Sequence, residues 1–211
     1  MINIDIRPVV EFQNGITKLE QKTPNAIKNA INATAKQARN RMVKQAQKAY
    51  SVKSARFNKA TKIKNANKYN FTAVITAKGS PLQLMDFAVN PRKPPLQKGK
   101  QSNSTTKAKV YSSGSLKELK KGDIKAFVNG FAYNKKDKKG NLTGETGVHI
   151  FVGQRLTKKR LPIKVLYSNS IPKMIGNEEK VFEIVTPGIN EDFEREVSKQ
   201  MQKLFDKLNK S

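Results

Sequence analysis

Electric charge constrains the fold of this chain more than any other property of its sequence. Its 211 residues contain 42 Lys and Arg but only 16 Asp and Glu, which gives a formal net charge of +26. So large an excess repels itself and lowers the stability of any compact state. A polyanionic partner would relieve this repulsion, so the charge predicts binding to a molecule such as nucleic acid.

The apolar content is low but sufficient for a core. Hydrophobic residues make up 36% of the chain, and its length suits one large domain or two small ones; we expect a single domain over 1–211. With no Cys, the chain has no thiolate nucleophile, no disulfide framework and no Cys-ligated zinc site. A reducing compartment such as the cytoplasm fits this composition.

The N-terminal residues and the longest apolar run bear on targeting. Residues 1–7 alternate apolar and polar side chains and place Asp5 where a secretory signal needs an apolar run, so they predict a strand. The longest mostly apolar stretch, 71–77, is far shorter than the roughly 18 to 20 residues needed to cross a bilayer. We therefore expect no membrane contact.

A long amphipathic helix is the strongest secondary-structure prediction. Thr23 and Pro24 supply an N-cap and a first-turn proline for a helix that runs to about Tyr50. One stripe recurs every three or four residues, and the basic residues lie largely outside it. Its members are Ile27, Ile31, Thr34, Ala38, Met42, Ala46 and Ala49. This Ala-rich face allows close packing, either on a sheet of the same chain or on a helix of another copy.

The rest of the chain alternates between strand, turn and helix signals. A short helix is predicted at 52–60, and a terminal helix with acidic first turns is predicted beyond Pro187-Gly188. Breakers and lysines predict mobile loops near 90–107 and 134–146. The strand patterns lie at 69–77, 108–112, 124–128 and 148–152. Together they predict an α+β fold, with an antiparallel sheet packed against a long N-terminal basic helix and a C-terminal helix, and with long Lys-rich loops.

Acidic residues are concentrated near the C-terminus. Eight of the sixteen lie after residue 177, whereas residues 1–70 carry three. The acidic C-terminal helix could pair with the basic N-terminal helix of a neighbouring copy, or both helices could present ordinary solvated faces. The sequence leaves both possibilities open.

The single histidine offers little support for catalysis. His149 alternates with Val148 and Ile150 in a predicted strand, so it should point to the opposite face from them. No second His or Cys is available to complete a Cys-His site or a multi-histidine metal site. Phosphate-cradling glycine motifs are absent as well.

A metal-dependent nuclease is the sharpest enzymatic alternative. Some nucleases hold magnesium with an Asp upstream of a Glu-x-Lys motif, and Asp86 with Glu118-Leu119-Lys120 could be forced into that pattern. In a chain this rich in Lys, however, a Glu-x-Lys arises easily by chance. We expect that this protein is not an enzyme and that it binds no cofactor and no metal.

Nucleic-acid binding would depend on charge rather than on base recognition. Lys outnumbers Arg heavily, which disfavours bidentate reading of guanine edges, and aromatic residues interleaved with Arg are largely absent. Contacts should therefore be made with phosphates, independently of sequence and with strong salt dependence. The candidate DNA-backbone or assembly contacts are Lys36, Arg39, Arg41, Lys44, Lys48, Arg92, Lys93, Lys98 and Lys100.

Three segments of the chain together carry a family resemblance. The first, 30–53, is an Ala- and Arg-containing helix that ends in a Tyr and leads to a second basic segment; the next, 79–87, is a small-residue turn followed by Leu and Phe. The most specific, 160–174, reads Arg-Leu-Pro-Ile, then Leu-Tyr, then Ser-Ile-Pro and an apolar residue. In this order they resemble the minor tail protein Z family of tailed bacteriophages and prophages.

The likeness covers about 26–175. Residues 126–128 and 147–153 lie where that family places an Ala-Phe strand and a Gly-containing strand. The chain departs from the family in a Pro-rich insertion after Phe87, a Lys-rich loop at 134–140 and a lower Arg content.

The resemblance implies a non-enzymatic structural protein of the virion. Such a protein completes the head-proximal end of the tail and helps to join tail to head, as a hexameric ring of this chain around the DNA channel. The implied partners are the tail terminator, the tail tube, head-completion proteins and the genomic DNA backbone. The implied location is the tail or neck of the virion, and the host cytoplasm during assembly. The rival function is a sequence-independent nucleic-acid-binding protein of the ribosomal or chromatin-packing type.

Residues 160–174 also predict a stiff apolar connector, because their two prolines fix backbone dihedral angles. We expect this connector to pack in the core of its own chain, with capping of a neighbouring copy as the alternative. The structural residues of the connector are Arg160, Leu161, Pro162, Ile163, Tyr167 and Pro172.

Overall fold

The computed structural model describes residues 2–3, 23–94 and 105–208, which form four α-helices and twelve strands. The helices are α1 (Thr23–Ala49), α2 (Ser54–Ala60), α3 (Ile171–Ile175) and α4 (Glu183–Leu208). The strands are β1 (Ile2–Asn3), β2 (Thr61–Lys64), β3 (Val74–Ala77), β4 (Pro81–Gln83), β5 (Ala88–Asn90), β6 (Lys107–Lys109), β7 (Lys117–Glu118), β8 (Lys120–Lys121), β9 (Ile124–Lys136), β10 (Leu142–Arg155), β11 (Ile163–Val165) and β12 (Tyr167–Ser170). A 3-10 turn spans Leu84–Asp86 and a π-helical turn spans Glu178–Phe182. The predicted α+β class is confirmed.

The described residues form two compact units. The helical unit comprises those of Met1–Lys48, Ser54–Gly79 and Ile171–Ser211, and it holds an antiparallel sheet of order β1-β3-β2. The sheet unit comprises those of Ala49–Lys53 and Ser80–Ser170. It holds three antiparallel sheets, of order β11-β10-β9-β8, β5-β6-β7 and β12-β4. The antiparallel strands are thus divided among several small sheets, and the expectation of a single domain over 1–211 stays a prediction.

Helix α1 starts at Thr23, as predicted, and ends at Ala49, one residue before the predicted end. Its Ala-rich face is buried against other residues of the same chain. Part of this face packs on α4, and part packs beside the sheet of the helical unit. The α4 cluster contains Ala26, Met201 and Leu204, with Val197 against it. The sheet cluster contains Ile31, Ala35, Ala66 and Ala73, with Ile63 and Phe193 against it. Small side chains on α1 permit this close approach on two sides.

Helix α4 starts earlier than predicted. The Pro187-Gly188 pair predicts a break before the helix, but both residues lie inside Glu183–Leu208. Proline lacks the N–H that would donate to the carbonyl four residues back. One residue earlier, the Thr186 hydroxyl donates to the Phe182 carbonyl at 2.8 Å, so a side chain adds a hydrogen bond in the turn that contains the proline.

The predicted loop at 134–146 is mostly strand. Strands β9 and β10 form one long hairpin, and only 137–141 connects them. The Asp137 carboxylate accepts the backbone N–H groups of Lys139 at 2.8 Å and Asn141 at 2.9 Å, and Gly140 has a φ of 92°. These contacts close a tight turn, so the Lys-rich composition was a misleading loop signal. In the other predicted loop, Asn90 ends β5 and Lys107 begins β6, and 95–104 lies outside the described residues.

The connector at 160–174 is buried at its C-terminal end, where Ile171 and Met174 are in the core, but its earlier residues are less buried than predicted. Leu161 is 64% exposed and Tyr167 is 55% exposed, so packing in the core of the same chain does not hold for these two side chains. The reason is their position: Leu161 precedes β11, which is an edge strand, and Tyr167 lies in β12, which among the described residues pairs with the short β4 alone. The remaining connector residues comprise exposed Arg160 and Pro162, half-buried Ile163 in β11, and half-buried Pro172 in α3.

Candidate nucleic-acid interface

An exposed basic stripe runs along α1. Lys36, Lys44 and Lys48 are exposed and lie four or eight residues apart, which places them on one side of the helix. Arg39 has a different environment: its Nε donates to the Thr61 hydroxyl and its Nη2 to the Asn58 carbonyl, both at 2.9 Å. Arg39 therefore attaches α1 to α2 and β2, while the three lysines present positive charge to the surface.

Arg41 is engaged within the chain. Its Nε lies 2.5 Å from Asp192 Oδ2 and its Nη2 lies 2.9 Å from Oδ1, which is a two-bond contact between guanidinium and carboxylate. The Asp192 side chain is 2% exposed, and Arg195 also donates to it. The hydrogen bonds from Arg41 hold the pKa of Asp192 below its usual range, and Asp192 in turn raises the pKa of Arg41. The structure thus gives this predicted DNA contact a structural role between α1 and α4.

Two neighbours complete this polar interface. Gln37 Nε2 donates to Glu196 Oε1 at 2.9 Å, and the Glu196 side chain is buried. A Cβ atom at Gly188 would come within 2.7 Å of Arg41 Nη1, so any other residue there would require the guanidinium to shift from its present position. The pairing of acidic and basic helices, which the sequence suggested between neighbouring copies, is found within one chain.

A concave surface of the helical unit carries four lysines that the sequence did not single out. It encloses a cavity of about 510 Å³. Its lining residues are Lys59, Ala60, Lys62, Ile63, Lys64, Thr76 and Lys78. None of these seven is acidic, so the surface presents an uncompensated positive field to an anion such as a phosphate group. Only the Lys-x-Lys alternation at 62–64, with both lysines on one face of β2, could have indicated it from sequence.

Two of the remaining predicted backbone contacts, Arg92 and Lys93, follow β5. Arg92 and Lys93 are exposed, and Arg92 Nη2 donates to the Phe87 carbonyl at 3.3 Å. Lys98 and Lys100 lie outside the described residues. A role for these four cations in DNA contact stays a prediction.

The four-stranded sheet of the sheet unit has two different faces near the base of the β9–β10 hairpin. Antiparallel partners project to the same side of a sheet, so the register assigns each residue to a face. The buried face holds Ala126, Val128 and Val152. On the opposite face, Phe127 pairs with Gly153 and Phe131 pairs with His149. His149 thus faces away from Val148, as predicted.

Aromatic rings cover this second face. The Phe131 ring centroid lies 5.1 Å from that of His149 and 6.1 Å from that of Phe151. The Tyr133 ring lies over Gly147, because a Cβ atom there would come within 2.6 Å of Tyr133 Cζ. Phe131 is 54% exposed and Tyr133 is 47% exposed. We call this surface the aromatic platform, and its members are Phe127, Phe131, Tyr133, His149 and Phe151.

A cation lies at the base of the aromatic platform. The Arg155 guanidinium carbon is 5.8 Å from the Phe127 ring centroid, and Arg155 Nε has no hydrogen-bond partner among the described residues. Few aromatic residues are interleaved with Arg along the sequence, and the fold brings one Arg, Arg155, beside the rings of this face. Strand pairing assembles them from odd-numbered positions of 127–133 and 147–155, and only the register shows that the two series share a face.

The residues of the nuclease alternative lie in three separate elements. Asp86 ends the 3-10 turn, Glu118 is exposed in β7, and Lys120 is exposed in β8. Within 23–94 and 105–208, no three His, Asp or Glu side chains are grouped so that they could hold a metal ion. Among the helices of the described ranges, none is long and apolar enough to cross a membrane.

Comparison with protein-family models, curated proteins and solved structures finds no match for this chain. The resemblance to the minor tail protein Z family therefore depends on the sequence segments that carry it.

Proposed function

We propose that this protein is a structural component of a tailed-phage virion that completes the head-proximal end of the tail and helps to join it to the head. Its copies would form a hexameric ring around the DNA channel and contact the tail terminator, the tail tube and head-completion proteins. The observation that carries the proposal is the ordered resemblance that ends in the segment 160–174. The location would be the tail or neck of the virion, after assembly in the host cytoplasm.

The distribution of lysine supports the DNA contact in this proposal. The basic stripe on α1 (Lys36, Lys44 and Lys48) and the four-lysine concavity are exposed, and neither contains a carboxylate. Lysine ammonium groups act as point charges that bind phosphate oxygens without reading bases. A ring that encloses duplex DNA needs this kind of contact, because any sequence must pass through it. Phosphates would also offset the repulsion between copies that each carry a charge of +26.

Inactivation of the gene for this chain in its phage tests the proposal. We expect DNA-filled heads and unattached tails to accumulate, and joined, infectious particles to return when the gene is supplied in trans. Purified particles should contain the protein at the neck. Normal joined particles formed without the protein would contradict the proposal.

A second candidate function is a sequence-independent nucleic-acid-binding protein of the ribosomal or chromatin-packing type. The four-lysine concavity favours it, because phosphate binding there would need no ring. Salt-dependent binding of short duplex DNA by a protein that stays monomeric at every concentration would support this second function over the first.

A further inference from the structure

We propose that the aromatic platform binds the unpaired bases of single-stranded nucleic acid. This site differs in chemistry from the phosphate contacts of the proposed function and does not depend on that function. It lies on the face of the four-stranded sheet opposite Val128 and Val152, which are buried. Flat, exposed rings beside cations are the combination that binds single strands, since every base has a π-face that can stack.

The geometry of the hairpin favours stacking. Phe131 and Tyr133 are two residues apart on β9, so they are about 6.8 Å apart along the strand. This is about twice the 3.4 Å rise between stacked bases, so one nucleic-acid strand can contact both rings. The Tyr133 ring already lies against Gly147, which reduces the conformational entropy that binding would remove.

The charge of the sheet favours a polyanion. Strands β8 to β11 carry one carboxylate, Glu145, which pairs with Lys135 at 2.8 Å. Lys125 and Arg155 lie on the same face as the aromatic platform, and Lys120 is the register partner of Lys125. The cations of these strands are Lys120, Lys121, Lys125, Lys135, Lys136, Arg155 and Lys164.

Two other occupants fit this surface less well. A DNA duplex keeps its bases stacked on one another, so their faces are closed to the rings of the aromatic platform. A second copy of this chain would bring another excess of +26, and with it seven more cations of the same sheet, against the first. Unpaired bases on a phosphate backbone match both the rings and the charge.

Anisotropy titrations test the proposal directly. The probes are a labelled oligothymidylate of about twelve nucleotides and an abasic strand of the same length, which carries the phosphates without the bases. We expect the protein to bind oligothymidylate more tightly than the abasic strand. The double variant Phe131→Ala/Tyr133→Ala should bind oligothymidylate at least about tenfold more weakly, with its affinity for the abasic strand unchanged. An oligouridylate titration distinguishes RNA from DNA as the preferred strand.

The opposite face of the same hairpin supplies the control. Val148 is 63% exposed, but its register partner is Ala132, so it faces away from the aromatic platform. Val148→Ala removes a comparably exposed apolar side chain and should leave oligothymidylate affinity unchanged. All three substitutions lie on the surface and leave the core intact, so each variant should remain folded, with a cooperative urea unfolding transition; the loss of ring contacts in Phe131→Ala/Tyr133→Ala should shift that transition only modestly.

A fluorescence measurement gives a second, independent readout. The chain has no Trp, so Phe131→Trp places a single indole on the aromatic platform. Oligothymidylate should quench this indole by stacking on it, whereas the indole introduced by Val148→Trp should not respond. Equal affinity for the oligothymidylate and abasic strands, or unchanged affinity in the Phe131→Ala/Tyr133→Ala variant, would overturn the proposal. Self-association that Phe131→Ala abolishes would instead assign this face to a second copy of the chain.

Discussion

At the scale of single residues, the contact between Arg41 and Asp192 shows how a strongly basic chain uses its few acids. The carboxylate is buried and accepts hydrogen bonds from Arg41 and Arg195, so it compensates positive charge where two helices meet. The neighbouring Gly188 lowers helix propensity by about 1 kcal/mol relative to Ala. Its missing Cβ leaves the space that the guanidinium occupies, and the two charge-assisted hydrogen bonds offset that loss.

Asp192→Asn should destabilise the protein in a pH-dependent manner. The hydrogen bonds from Arg41 lower the pKa of Asp192 in the folded state, so the unfolded chain binds the proton more readily. The stabilisation is therefore fully present above the unfolded-state pKa of about 3.9 and is lost as pH falls through the folded-state pKa. We expect a loss of about 2 kcal/mol at pH near 7 and a vanishing difference in strong acid, measured by urea unfolding.

The exposed Glu194 on the same helix supplies the control for this substitution. Glu194→Gln should change the free energy of unfolding by less than about 0.5 kcal/mol at either pH. An Asp192→Asn variant as stable as the parent near pH 7 would show that the ion pair does not stabilise the fold.

Gly188→Ala should destabilise the protein although Ala is the better helix former. The added Cβ would displace the Arg41 guanidinium, whose Nη1 lies within 2.7 Å of it. In an Arg41→Ala background the space is free, so the same substitution should stabilise by up to about 1 kcal/mol. Asn190→Ala, at an exposed position of α4, controls for propensity alone and should stabilise slightly in both backgrounds. Destabilisation by Gly188→Ala that persists without Arg41 would contradict this explanation.

At the scale of elements, apolar periodicity predicted α1 well, because a long stripe of buried residues needs no long-range information. The loop predicted from composition at 134–146 was wrong, because most of this Lys-rich segment pairs in the β9–β10 hairpin and Asp137 accepts hydrogen bonds that close its turn. The boundary predicted at Pro187 was also wrong, since proline and glycine usually mark boundaries and not helix interiors. The aromatic platform could not be predicted, because its rings come from two strands whose register is set only by folding.

The four-lysine concavity supports an element-scale prediction about duplex DNA. The double variant Lys62→Gln/Lys64→Gln should bind a short duplex more weakly and reduce the slope of log K against log salt by about 2, since each phosphate contact contributes about 0.9. Lys158→Gln/Lys159→Gln removes the same charge from an exposed bend of the sheet unit and should change the slope less. Equal slopes for both variants would mean that the concavity contributes only bulk charge.

At the scale of the whole molecule, the distribution of charge is the central observation. Acids are concentrated in α4, but Asp192 and Glu196 are already engaged with α1 of the same chain, so they do not link copies. The lysines of the α1 stripe and of the concavity are exposed instead. In a ring of such chains, other contacts would hold the copies together. The phosphates of the DNA inside the ring would neutralise the exposed lysines.

The mass of the assembled species is the most direct test of the proposed ring. Native mass spectrometry of the purified protein, with and without short duplex DNA, and of neck complexes released from particles would give the number of copies. We expect a hexameric ring whose population increases when duplex DNA is present, because phosphates offset the repulsion between copies. A protein that remains monomeric at every concentration, with and without DNA, and that is missing from purified particles would contradict it.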